Sequence, residues 1–343
     1  MGQSKEVTIY DIARKLNLSA ATISRGLKKD PSTAKKTMKK ILDTAEEMGY
    51  RTNPFARSLI SRRTNTIGVI IPGLASHFMS CVVEGIEKVA NENGYNLLIS
   101  HSSDSSVKEK DSVRSLFDSR ADGLLVSLAN DTKDLAHFDL FFNKSIPVIF
   151  FDRVLEEANG AKVLIDNRKA AYTATKHLIE QGCKRIAHLT APSAQSIYTD
   201  RLNGYKQALS DHKLPFNDKL VLFENLNMQG GVSAATTILN MGPRPDGVFV
   251  ANDNCAIGCM QSLLQQGIRI PDQIAFVGFN NDPASRIIEP NLTTIQYSGH
   301  DVGETAARYL INSLDDDRKI PDTNTIILRY ELVVRASSQK RKK

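Results

Sequence analysis

The chain has 343 residues, enough for two or three domains with sizeable cores, and a formal net charge of +6. Residues 1–65 hold fourteen Lys and Arg against six Asp and Glu, so the positive charge is gathered at the amino end and the rest is close to neutral. Four cysteines in so long a chain, no apolar run after Met1 and no stretch of about eighteen apolar residues argue against a secreted disulfide scaffold and a membrane span, and predict a cytoplasmic protein.

The stretch from Thr8 to Leu27 predicts two short helices joined by a tight turn. Thr8 is a candidate cap for the first, whose Ile9, Ile12, Ala13 and Leu16 recur at the spacing of one buried helical face. Asn17 and Leu18 make the turn, and Ser19 caps a second helix, Ala20 to Leu27, in which Ile23 and Leu27 point back at the first. Ala20, Ala21 and Arg25 are left outward. Small side chains allow close approach to base edges, and an Arg one turn further on can give a guanine two hydrogen bonds. An ordinary helical hairpin fits the same pattern, but its place in a basic segment favours a DNA-reading unit. A third helix follows the loop at 28–33, with Ser32 or Thr33 as cap, Met38, Ile41, Leu42, Ala45 and Met48 inward and Gly49 as stop. Its Lys35, Lys36, Lys39 and Lys40 fit either a solvated face or phosphate contacts.

Residues 52–65 place Asn53 as a cap, Pro54 at the first helical position, and fewer than two helical turns over Phe55–Ile60, too short to hold alone in water. With Arg57, Arg62 and Arg63 around it, DNA is the partner expected to order this segment. Leu59 is either a wedge between base steps in the minor groove or a residue that packs on a neighbouring domain.

From Thr66 the pattern becomes alternating strands and helices. TIGVIIP, NLLISHS, DGLLVSL and IPVIFFD read as strands of one parallel sheet, with helices over about His77–Asn93 and Val107–Ser119. VLID, RIAHLT, GVFVAN and IAFVGF, with helices at Lys169–Gln181, Leu202–Ser210 and Asn254–Gln266, form a second lobe. LTTIQ, a helix Val302–Leu314 and one long strand Thr325–Val334 remain, placed where the chain crosses back between lobes. Ligands of open parallel sheets sit beyond the carboxyl ends of the strands, which makes the residues just after those strands the binding candidates. Cys255 and Cys259 lie four apart on a helix, a spacing that fits core thiols better than a metal site without a further ligand nearby. No Gly-rich phosphate loop, nucleophile elbow or metal-ligand spacing occurs, so no cofactor, metal or catalytic residue is expected.

TIYDIARKLNLSAATISRGL, EEMGYRTNPFARSL, TIGVIIP, DRLNGYKQAL, GVFVANDNCAIG, FVGFNND and ELVVRASS occur in that order, and together they resemble the LacI/GalR family of bacterial repressors over essentially the whole chain. The resemblance implies an all-α three-helix helix-turn-helix DNA-binding domain (1–50), a hinge (51–65) and a two-lobed, doubly wound α/β core of periplasmic-binding-protein type (66–343). Its N-lobe would span about 66–162 and 292–321, and its C-lobe about 163–291 and 322–338. It places Ala20, Ala21 and Arg25 at base-reading positions, Thr8, Ser19, Thr22 and Ser24 at or near phosphates, Asn53 and Arg57 in the DNA-facing hinge, and Leu59 as the minor-groove wedge. Ile60 departs from the Lys or Ala common in family hinges, and Ala21 offers only a methyl where a larger residue is common. In the core, Asp152, Arg201, Asn252 and Asn280 match positions that hold sugar hydroxyls, with Phe78 or Leu226 against an apolar ring face; relatives often carry Asp where Asn280 stands. The implied function is a homodimeric transcriptional repressor that binds a pseudo-palindromic operator in double-stranded DNA and answers to a small-molecule effector of sugar kind. Effector-driven lobe closure would set the spacing of the two hinges. Control by a phosphorylated protein, or a sugar-uptake role, are the alternatives.

Overall fold

Local capping decides where the amino-terminal helices begin. The Thr8 backbone N–H and hydroxyl both donate to the Asp11 carboxylate, at 2.9 and 2.7 Å, and open α1 (Ile9–Leu16). Asn17 ends it in the left-handed region, φ 50°, a conformation that Asn tolerates well. Ser19 Oγ accepts from Thr22 N at 3.2 Å to start α2 (Ala20–Leu27). α3 (Lys35–Glu47) is capped by neither Ser32 nor Thr33, as the sequence suggested, but begins after Ala34 without a side-chain cap. Ser32 is drawn into the preceding turn, where its N–H donates to Asp30 Oδ1 at 2.8 Å, and Thr33 is buried. Ile12, Ile23 and Ile41 are fully buried between the three helices, with Ala45 beside them.

The computed structural model describes residues 7–50, 63–158, 160–192, 196–315 and 324–340, and its contacts divide the chain into two units, Met1–Thr64 and Asn65–Lys343. The hinge candidates Asn53, Arg57 and Leu59 lie outside the described residues.

In the second unit, apolar runs without polar alternation form strands buried on both faces. β1 (Thr66–Ile71), α4 (His77–Glu92), β2 (Asn96–His101), α5 (Ser106–Asp118), β3 (Gly123–Val126), α6 (Asp139–Phe142), β4 (Val148–Phe151) and β5 (Ala161–Ile165) build the first lobe. The second holds α7 (Asn167–Glu180), β6 (Ile186–Thr190), α8 (Ser196–Asp211), β7 (Val221–Phe223), α9 (Met228–Leu239), β8 (Gly247–Val250), α10 (Asp253–Gln265), β9 (Ala275–Phe279) and β10 (Thr293–Gln296). α11 (Gly299–Asp315) returns to the first lobe, β11 (Thr325–Leu328) stays there, and β12 (Glu331–Val333) crosses back. The strand orders are β11-β5-β4-β3-β1-β2 and β12-β10-β9-β8-β6-β7, with β12 antiparallel to β10 and the other pairs parallel.

This corrects the expected lobe boundaries in three places. Residues 163–165 belong to the first lobe because β5 pairs with β4 and β11. LTTIQ belongs to the second, as β10 pairs with β9. The single long strand at 325–334 is two strands, interrupted at Arg329–Tyr330 where the chain passes from one sheet to the other. Apolar period identifies a strand but not the neighbour it bonds to.

Helices close on one another at glycines. A Cβ on Gly303 of α11 would stand 2.0 Å from the Val82 carbonyl of α4, and one on Gly85 2.2 Å from the His300 carbonyl in return. Gly204 of α8 meets Arg168 of α7 at 2.1 Å, and Gly231 of α9 meets Cys255 of α10 at 2.1 Å, in the same way. Each contact is with backbone, so no side-chain rotation relieves it.

The carboxylate of Asp253, fully buried at the start of α10, joins the returning strands: it accepts from Thr294 Oγ1 at 2.7 Å and from the Asp282 N–H at 2.8 Å. Gly278 leaves the space, since a Cβ there would lie 2.1 Å from Asp253 Oδ1. Burial, helped by the Asp282 charge and opposed by the Thr294 hydrogen bond, pushes the Asp253 carboxyl up to about 7.

Gly303→Ala is expected to lower stability by about 1–3 kcal/mol or more in thermal unfolding. Gly73→Ala, with open space at Cβ, should leave it nearly unchanged. Asp253 keeps its proton to higher pH folded than unfolded, so the folded state binds more protons between pH about 4 and about 7, and stability falls as pH rises through that window. Asp253→Asn should remove a part of this fall on the order of a few kcal/mol. Identical stability-versus-pH slopes for parent and variant would refute the assignment.

Candidate functional site

Two regions carry the candidate residues. In the first unit, Ser19 is spent on capping α2 and on a 2.8 Å hydroxyl pair with Thr22. Ala21 and Arg25 are exposed while Ala20, Thr22 and Ser24 are half-buried on α2. Thr8 is exposed at the start of α1. Ile23 and Gly26 form the inward face of α2; a Cβ on Gly26 would lie 2.5 Å from Ile41 Cδ1, so that face is closed against α3. Ala21 and Arg25 therefore leave an outward surface of one methyl and one guanidinium, four residues apart on one helix face.

In the second unit, Phe78, Asp152, Arg201, Leu226, Asn252 and Asn280 all line one cavity of about 450 Å³ between the lobes. They arrive from separate elements: Phe78 from the first turn of α4, Asp152 after β4, Arg201 from α8, Leu226 ahead of α9, Asn252 as the cap of α10, and Asn280 after β9. Asp152 and Asn280 have positive φ, 56° and 114°, so the chain turns sharply just past the carboxyl ends of β4 and β9, two interior strands. The Asn252 amide oxygen accepts from Asn254 N at 2.8 Å and Cys255 N at 3.4 Å, which leaves its NH2 group uncommitted by the cap.

Arg201 is 3 % exposed and held rigidly: Nε donates to Asn167 Oδ1 at 3.0 Å, one terminal nitrogen donates to the Ala251 carbonyl at 2.8 Å, and the guanidinium lies 3.6 Å above the Phe279 ring. Beneath it, His188 is fully buried between the rings of Phe249 and Tyr205, and burial lowers it to about 4, so it is neutral. Burial pushes the Asp152 carboxyl up against the pull of Arg153 and Arg201. Burial and the Asp152 charge raise the Tyr297 phenol, which donates to Asp152 Oδ1 at 3.3 Å.

Tyr297, Arg153, Tyr198 and Asn227 also line the cavity and were missed by sequence reasoning. Tyr297 follows β10 directly and Arg153 follows Asp152, so the rule of looking just past strand ends would have reached both. Phe78 and Tyr297 pack as a tilted pair, ring centroids 4.6 Å apart and planes at 44°, and give the cavity an apolar wall. Arg153 forms an ion pair with Asp104. The ionisable lining is thus two carboxylates, Asp104 and Asp152, against two guanidiniums, Arg153 and Arg201. Cys255 and Cys259 are buried in the second lobe, and burial pushes both thiols up, Cys255 to about 12. Among the described residues no helix is long and apolar enough to cross a membrane.

Two family descriptions match in tandem: "Bacterial regulatory proteins, lacI family" over residues 8–53, and "Periplasmic binding proteins and sugar binding domain of LacI family" over residues 64–332. A catabolite control protein A from Priestia megaterium is 30% identical over 334 residues, covering 97% of this chain and 99% of the relative. An HTH-type transcriptional repressor PurR from Vibrio atlanticus (strain LGP32) is 32% identical over 309 residues, covering 90% and 92%. A solved lac repressor dimer bound to operator and the anti-inducer ONPF superposes with a TM-score of 0.86 at 24% identity, covering 97% of this chain and 99% of that one. Tandem matches over both units, and relatives aligned almost end to end, place the chain in the LacI family of bacterial regulatory proteins, as a DNA-binding transcriptional regulator.

Proposed function

We propose that this chain acts as a homodimeric cytoplasmic repressor whose hold on a pseudo-palindromic operator is set by a neutral, polyhydroxylated ligand of sugar kind in the inter-lobe cavity. The observation that carries the reading is the convergence of six side chains from six separate elements on that cavity. Its ionisable groups balance, which disfavours a phosphorylated or carboxylated ligand. Asp152 offers an acceptor, Arg201 and the Asn252 amide offer donors, Asn280 offers both, and the Phe78–Tyr297 wall suits the apolar face of a pyranose. A solved regulator, CelR, is described as a cellobiose complex and shares this fold, with a TM-score of 0.74. We read the cavity as a binding site and not a catalytic one.

Two features support a self-associating core. Edge strand β2 exposes Leu98 and Ile99, and edge strand β7 exposes Phe223, a pattern that a lone chain would leave open to water. Twofold pairing of such chains matches twofold operator symmetry. On each DNA-binding unit, Arg25 reads a guanine, Ala20 and Ala21 allow the close approach, and Thr8, Ser19, Thr22 and Ser24 lie toward phosphates. Asn53, Arg57 and Leu59 complete the proposed contact set. Ligand and operator affinities are reciprocally linked through lobe closure, by equal factors in each direction.

For Arg25→Ala, binding to a duplex recovered by selection from a random-sequence pool should weaken by about 1–3 kcal/mol, with little change on a scrambled duplex. Equal loss on both would remove Arg25 from base reading. In a thermal-shift screen, a neutral mono- or disaccharide at about 100 times its Kd should add about 2.7 kcal/mol of stability. Asp152→Asn should weaken that ligand by about 10- to 100-fold, because the charged acceptor is gone. Hits confined to sugar phosphates or nucleobases would overturn the neutral-sugar assignment.

A further inference from the structure

A second cavity, of about 350 Å³, opens on the first lobe and shares no lining residue with the one between the lobes. Its floor is Leu135, Phe142 and the buried Leu155, the outer face of the hydrophobic cluster that holds Phe138 and Phe150. Its wall is preformed. The fully buried Glu109 carboxylate of α5 accepts from Ala129 N at 2.7 Å and Thr132 Oγ1 at 2.9 Å, with His137 Nε2 2.9 Å away. Asp131 Oδ1 accepts from Ser106 N at 2.6 Å, so the loop 129–137 is tied down to α5 and the cavity does not wait for a ligand to shape it.

The rim is acidic. Asp134, Asp139 and Glu157 stand exposed around it with Lys133 as the lining's cation, and among the described residues none of the four forms an ion pair. Asp134 gives Oδ1 to the Ala136 N–H at 3.1 Å. Lys162, which feels the Glu157 charge, donates its ammonium to the Glu156 carbonyl at 2.6 Å. Three carboxylates against one ammonium leave excess negative charge above an apolar floor. A ligand that matches has the same two parts, a cationic head for the carboxylates and a hydrocarbon stem for Leu135, Phe142 and Leu155. A divalent metal does not match, because the floor offers it no oxygen and among the described residues no three ligating side chains converge.

We propose that this cavity is a second ligand site, for a small aliphatic amine or guanidine, and that its occupancy is felt at the contact between the lobes. Ligand sites run from about 300 to 1,000 Å³, so one at the small end suits a stem of a few carbons. The link to the lobes is covalent. Leu155 follows Val154, whose carbonyl accepts from both the N–H and the Oγ of Ser196 at 3.2 Å, across from the second lobe. Asp152 and Arg153, just before them, line the inter-lobe cavity. A cation drawn onto Leu155 and Glu157 therefore acts on the segment that carries both the lobe contact and part of the inter-lobe lining. None of this depends on a sugar binding between the lobes.

The test is isothermal titration calorimetry on the full chain at about 150 mM salt, with putrescine and agmatine as probes and butanediol as the uncharged control. Both amines should bind at a single saturable site and butanediol should not. D139N/E157Q should weaken them by about 10-fold or more, since the charge-assisted bonds are gone. A136F keeps every charge but fills the cavity, and should weaken them as much. D111N/D118N, which removes two exposed carboxylates of α5 outside the cavity, should behave as the parent. Thermal melting of each variant checks folding. In fluorescence anisotropy, saturating putrescine should shift affinity for the selected duplex by about 5-fold or more in the parent and not in A136F. No saturable amine binding overturns the site. So does binding that survives in A136F or falls equally in D111N/D118N, either of which would reduce it to diffuse surface charge. Displacement of putrescine by equimolar magnesium would reassign the cavity to a metal ion. Amine binding with no shift in duplex affinity overturns the link to the lobes, and a parent that bound no duplex would fail the DNA reading while the calorimetry still decided the cavity.

Discussion

The chain passes between its two sheets three times, after Ile165, after Gln296 and after Leu328, and the working parts of the core depend on that constraint. Three closely spaced crossings restrict the lobes to motions that the crossing backbone absorbs. Tyr297 sits on the second crossing and donates to Asp152 of the first lobe, while Asn280 N donates to the Ile295 carbonyl of β10 at 2.8 Å. The cavity wall and the hinge are therefore partly the same residues. Asp152 and Asn280 are thus bonded directly to the second crossing and to the strand that leads into it, and the Asp253 carboxylate, which accepts from Thr294 and the Asp282 N–H, ties β10 to the start of α10.

Much of this was legible in the sequence because it is local. Helix starts at Thr8 and Ser19 follow from side-chain oxygens within reach of free backbone donors, and buried parallel strands announce themselves as apolar runs such as TIGVII. Residues set just beyond strand ends, among them Asp152 and Asn280, could be marked as ligand candidates before any contact was known. Lobe membership was not legible, since β5 and β11 pair across about 160 intervening residues, and no local pattern encodes that register. β7 and α9 were likewise overlooked: β7 is three residues long, and the face of α9 that closes on α10 is made of Gly231, Ala234 and Ala235, whose small side chains give a faint apolar period.

The glycine contacts show why small residues matter more than their hydrophobicity suggests. Gly85 and Gly303 let α4 and α11 touch backbone to backbone, and Gly231 and Gly258 do the same for α9 and α10. Such pairs fix the helix layer on each sheet, and the layer in turn fixes the loops at strand ends. Arg201 gains from this. Gly204, one turn beyond it, seats α8 against Arg168 of α7, and the same contact brings Asn167 within 3.0 Å of the guanidinium. The site's rigidity is thus inherited from packing, which explains how a buried cation is held facing a cavity by a neutral amide, a carbonyl and a ring.

The two units carry opposite solutions to the problem of binding. Among the described residues the core buries four hydrophobic clusters and can hold a preformed cavity, so its ligand meets groups already oriented. The amino-terminal unit closes on Ile12, Ile23, Ile41 and Ala45, a core too small to supply more than marginal stability. Anything that binds only the folded form of that unit adds to its stability in proportion to the logarithm of occupancy. If Ala20 and Ala21 sit at the base edges as proposed, α2 has few groups with which to read directly, and affinity drawn from phosphates would serve twice, holding the operator and holding the reading unit folded upon it.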